Sequence, residues 1–154
     1  MRTGETKNKR KFAVASLEAL DSEIESMPAA PFGALIVVAG DEIALKDYSK
    51  IAKRLLESGC AWATLFAGGK RTRKLHDVFD RAIVDYQLKK DPDAEMMTSG
   101  EPEDSLEEAV RDAVWFAQPT YGDGPADLLV LVIGEDEGKL AEKAEAFAKS
   151  VTDE

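Results

Sequence analysis

Apolar residues in this chain follow two alternating rhythms. Two short stretches, Gly33-Ala34-Leu35-Ile36-Val37-Val38-Ala39 and Leu128-Leu129-Val130-Leu131-Val132-Ile133, are continuously apolar, and a third, Ala61-Trp62-Ala63-Thr64-Leu65-Phe66, is interrupted only by Thr64. A fourth, Glu95-Met96-Met97-Thr98, is shorter and more polar. Continuous apolarity in a short β-branched run marks a strand covered on both faces, as in a parallel sheet. Between and after these runs the spacing becomes helical. Leu45, Tyr48, Ile51, Ala52, Leu55 and Leu56 predict a helix over about 43–58. Gly59 stands at its end, in the position that favours a left-handed residue. A second helix starts near Thr72 and carries Leu75, Val78, Phe79, Ala82, Ile83 and Tyr86 on one face. The third carries Leu106, Ala109, Val110, Ala113, Val114 and Ala117, and Ser105 with Glu108 forms a capping box at its start. The last runs from about 138 to 151, with Leu140, Ala144, Phe147 and Val151 inward.

Strands that alternate with helices fold as a parallel sheet with helices on both faces. The short polar strand suits an edge. The expected architecture is therefore a Rossmann-like α/β three-layer sandwich: a four-stranded parallel sheet in the order 3-2-1-4, counting the four runs along the chain. The N-terminus lies outside this pattern. Residues 1–11 hold Arg2, Lys7, Lys9, Arg10 and Lys11 against Glu5 alone, and read as a flexible basic arm. Leu17, Leu20, Ile24 and Met27 are spaced three, four and three apart, which predicts an amphipathic helix over 12–28, ended by Pro28 and Pro31. The remainder, 29–154, reads as a single α/β domain.

Charge changes the picture more than composition does. The net charge of the 154 residues is −10, so with a basic arm the rest is more acidic still. An acidic field opposes nonspecific nucleic-acid binding and favours a basic partner. Cys60 is the only cysteine, which excludes an internal disulfide and fits a reducing, cytoplasmic setting. No apolar run approaches the roughly 20 residues of a membrane helix.

Candidate chemistry belongs at the carboxyl ends of the strands, where ligands bind in such sheets. Gly40 and Asp41 follow the first strand, and Gly68, Gly69, Lys70 and Arg71 the second. Thr98 and Ser99 follow the third, and Glu135 the fourth. The glycine pair opening a helix beside cations could receive a phosphate, although it is neither a G-x-G-x-x-G nor a Walker pattern. Asp41, Glu42, Glu135, Asp136 and Glu137 could hold magnesium, or they are acids placed to suit helix N-termini. His76 beside Asp77 is too far along the strands from Cys60 to form a nucleophilic pair with it. Trp62 and Trp115 read as core or interface anchors.

Glu95-Met96-Met97-Thr98, Asp104-Ser105-Leu106-Glu107-Glu108-Ala109 and Trp115-Phe116-Ala117, with Leu75-His76-Asp77 upstream, resemble a family of short uncharacterised bacterial proteins. Its members carry a methionine-threonine strand end, an S-L-E-E-A helix start and a W-F-A helix end. The resemblance spans roughly 33–135 and implies a bacterial source and a compact α/β fold; it brings no activity. The basic stretch from Lys70 to Lys74 departs from the family pattern.

No complete catalytic or metal signature is present. The expectation is a non-enzymatic, acidic protein-binding module, an accessory or immunity-type protein of a bacterial operon, without cofactor or metal. Its partner is expected to be another protein with a basic surface, with self-association as a further option. Leu17, Leu20, Ile24 and Met27, together with Glu101, Glu103, Asp104 and Glu107, are the expected contacts. The competing expectation is a nucleotide- or magnesium-binding enzyme or sensor that uses the carboxyl-end crevice.

Overall fold

A computed structural model describes residues 2–6, 11–16, 32–38, 45–103, 105–116, 127–133 and 137–150. Its strands are β1 (Arg2–Glu5), β2 (Lys11–Ser16), β3 (Phe32–Val38), β4 (Cys60–Phe66), β5 (Met97–Ser99) and β6 (Leu128–Ile133). Its helices are α1 (Leu45–Glu57), α2 (Lys70–Lys89), α3 (Leu106–Phe116) and α4 (Glu137–Ser150). The strands form one mixed sheet in the order β1-β2-β6-β3-β4-β5.

The four expected strands lie in the expected order, β5-β4-β3-β6, and all are parallel. The four-stranded sheet itself is corrected. It continues through β2, parallel to β6, and ends at β1, antiparallel to β2. Arg2–Glu5 is therefore an edge strand and not a flexible arm. Phe12 to Ser16 are likewise extended, not the first turns of a helix. Leu17, Leu20, Ile24 and Met27 lie outside the described residues.

Two apolar layers flank the sheet. One joins Ala34, Ile36, Ala63, Leu65, Leu129 and Leu131 to the inner faces of α1 and α2. The other joins Leu35, Val37, Val130 and Val132 to α3, α4, Phe12 and Val14. Every residue of β3 and β6 is buried, as a continuous apolar run requires when both faces are covered. In β2, Phe12 and Val14 enter one layer and Ala15 the other. Gly4 pairs with Phe12 across β1 and β2, and a Cβ there would stand 2.6 Å from the Phe12 ring. A side chain at that position would displace the ring from its seat.

The predicted helix ends hold. Gly59 has φ +95° and follows α1. Ser105 N donates to Glu108 Oε1 at 3.3 Å, and Glu108 N donates to Ser105 Oγ at 3.1 Å, which completes the capping box of α3. Lys53 and Lys89 both pair with Asp85, at 2.6 and 2.9 Å, and so tie α1 to the last turns of α2.

Candidate functional site

The carboxyl ends of β4 and β5 form a rim with opposite charge on its two sides. On the β4 side, Gly68 and Gly69 have φ +76° and +61°, and α2 opens directly after them. Both angles lie in the left-handed region, where a Cβ is disfavoured and glycine is not. The buried Thr72 hydroxyl fixes this turn by accepting the Ala67 N–H at 3.1 Å. No side chain caps α2, and its first turn holds no acid. Lys70, Arg71, Arg73 and Lys74 are all exposed there. Cations at this end oppose the helix dipole, where acids would gain ~0.3–1 kcal/mol each. Capping does not require this arrangement.

The β5 side is acidic. Glu101, Glu103, Glu107 and Glu108 are exposed around the start of α3. Glu108 is committed to the capping box, and Glu107 stands 3.9 Å from Arg111 on the same helix. Asp91, Asp93 and Glu95 are exposed before β5 and extend the acidic fringe to the other end of that strand. The sequence reading located the acids after β5 and missed those before it. The repeated D-P-D and E-P-E turns on either side of the strand were the available signal.

Between these two charged sides the polar groups are engaged with one another. Trp62 Nε1 donates to Ser99 Oγ at 2.9 Å, and Thr64 Oγ1 and Ser99 Oγ share a hydrogen bond of 3.0 Å. Thr98 Oγ1 donates to Asp80 Oδ1 at 2.9 Å. Thr98 and Ser99, expected as ligand contacts, thus pin β5 to α2 and to β4. His76 Nε2 lies 2.9 Å from the Gly100 carbonyl oxygen, so that nitrogen carries the proton and donates. Gly100 has φ +121°, and a Cβ on it would come within 2.2 Å of the Leu65 carbonyl oxygen. This close approach holds the β5–α3 turn against β4. Cys60 is buried at the opposite end of β4, as its place at the strand start required.

The structure therefore gathers Gly68, Gly69, Lys70 and Arg71 into one turn and sets Glu101, Glu103 and Glu107 across the rim. Gly40, Asp41, Asp104 and Glu135 lie outside the described residues. Among the described residues, no three His, Cys, Asp or Glu side chains group closely enough to hold a metal ion. No described helix is long and apolar enough to cross a membrane. Asp85, away from the rim, has its carboxyl pKa held below the ordinary value, first by the Lys53 hydrogen bond and then by that of Lys89.

No curated protein and no solved structure matches the chain. A family model does match over residues 14–150, from β2 through the last residue of α4. That span covers nearly the whole sheet and all four described helices, and the chain belongs to the family described as Domain of unknown function (DUF7684).

Proposed function

We propose that this domain is a non-enzymatic acidic binding module, an accessory or immunity-type protein of a bacterial operon, whose partner is a protein with a basic surface. The supporting observation is the row of exposed acids at the β5–α3 turn, in a chain of net charge −10. Capping uses Glu108, and Glu107 faces Arg111 on the same helix, so the acids of this turn exceed what capping needs. Complementary charge steers a basic partner toward the rim. The test is charge reversal of Glu101, Glu103 and Glu107 to lysine, with the Ser105–Glu108 box left intact. Association with the protein that co-purifies from the native host should slow at low salt, while the melting temperature stays nearly constant. An unchanged association rate would refute the reading.

A second reading rests on a separate observation, the four exposed cations at the uncapped start of α2. It makes the rim an anion site of a nucleotide-binding enzyme or sensor, with phosphate received by the backbone N–H groups after Gly69. Calorimetric titration with ATP, with and without magnesium, decides it. Saturable heat that disappears in Lys70→Glu/Arg73→Glu supports this second reading, and flat titrations remove it.

A further inference from the structure

We propose that the outer edge of β5 accepts an extended segment of the partner as an added strand, with lysine or arginine flanking an apolar centre. The proposal rests on the acidic-module reading above and gives that reading a surface. β5 is the last strand on its side, so its outer backbone groups pair with no described strand. Met97 is 56% exposed on this edge, beside half-buried Trp62, its register partner on β4. On the opposite face, Asp80 reaches Thr98 and His76 reaches Gly100, which turns that stripe of α2 toward β5. Val84 and Leu88 continue the stripe at spacings of four, and are 53% and 82% exposed. A strand added here would meet Met97 on one face and this apolar stripe on the other.

Charge selects the occupant. Exposed Asp91, Asp93 and Glu95 precede the strand, and exposed Glu101 and Glu103 follow it. A second copy pairing antiparallel about Thr98 would set Glu95 opposite Glu101 of its mate at both ends, and directly opposed like charges destabilise a strand pair. The same acids attract a basic segment. Protected edges are short and carry charge or proline, and β5 shares the shortness and the flanking charge. It departs from protection in leaving Met97 exposed on the strand itself. Main-chain hydrogen bonds would supply affinity, and the alternation of side chains would supply selectivity.

The test uses the full chain and a labelled peptide, acetyl-Lys-Val-Ile-Val-Thr-Lys-amide, beside the same peptide N-methylated at alternate residues. Binding should be saturable, should move the amide resonances of Met97, Thr98 and Ser99, and should weaken about tenfold on N-methylation, the loss expected when hydrogen bonds along the strand are removed. Asp93→Lys/Glu95→Lys should weaken it further, and sedimentation should show no self-association through this edge. Equal binding of the N-methylated peptide, shifts confined to the start of α2, or a dimer that excludes the peptide would each overturn strand addition. If strand addition fails while reversal of Glu101, Glu103 and Glu107 still slows the partner, the acidic-module reading survives without it. If peptide binding holds and that reversal changes nothing, the edge survives and the acidic steering does not.

Discussion

Replacing Gly100 with alanine should damage the rim more than any other single methyl group added to a described glycine turn. The new Cβ would lie 2.2 Å from the Leu65 carbonyl oxygen and 3.1 Å from its carbon, both backbone atoms of β4. Backbone cannot swing aside as a side-chain tip can, so β5 must move away from β4. The left-handed conformation costs an alanine roughly 1–2 kcal/mol, and overpacking adds about 1–3 kcal/mol. Gly59 supplies the control: its φ is +95°, yet nothing lies within 4 Å of the added Cβ. Gly59→Ala should therefore cost the conformational part alone. For a domain of this size 1 kcal/mol moves the melting temperature by about 2–4 °C, so the overpacking part alone should separate the two variants by about 2–12 °C. Calorimetric or circular-dichroism melts of both variants measure this gap. Nuclear magnetic resonance of Gly100→Ala should also show disturbed Trp62 and His76 side-chain signals, since both are bonded to the moved segment. Equal melting temperatures would refute the close-approach argument.

Three further outcomes follow from the packing. Phe12→Ala should cost about 3–5 kcal/mol in a denaturant titration, the range for a buried phenylalanine, because β2 belongs to the sheet; a loss below ~1 kcal/mol would mean that β1 and β2 are dispensable. Ser105→Ala should cost about 1 kcal/mol through the lost cap of α3 and leave the rim charge unchanged, as read by melting temperature and electrophoretic mobility. Asp85 binds its proton less readily in the folded state than in the unfolded one, so its contribution is present above the ordinary carboxylate value of about 3.9 and is lost as pH falls below it. The melting-temperature difference between wild type and Asp85→Asn should thus be present at neutral pH and close in acid; a gap that widens in acid would contradict the sign.

The core of the fold was readable because β3 and β6 are apolar at every position and each intervening helix shows one apolar face. The strand order followed from the polarity of β5, which only an edge tolerates. The N-terminal strands were not readable from the same signals. Lys11-Phe12-Ala13-Val14-Ala15-Ser16 is too short for its period to decide between helix and strand, and its alanines suit a helix. The helical spacing of Leu17, Leu20, Ile24 and Met27 then drew Phe12 to Ser16 into the same element. Arg2–Glu5 looks like a solvated arm because an edge strand can carry charge at little cost. At the rim, the glycine turn and the capping box were legible as local motifs. The bonds of Thr98 and Ser99 were not, since each depends on a partner brought near by the fold: Asp80 on α2, Trp62 and Thr64 on β4. Residue type alone made these hydroxyls look available.

The central claim is that the exposed acids of the β5–α3 turn guide a basic protein to this rim. The most direct measurement is the association rate with the co-purified partner as ionic strength rises from about 0.01 to 0.15 M, where the screening length shrinks from about 30 to 8 Å. The wild-type rate should fall steeply over this range, and the rate of Glu101→Lys/Glu103→Lys/Glu107→Lys should start low and change little. A wild-type rate that stays flat with salt, or a charge-reversed variant that follows the wild-type curve, would contradict the account.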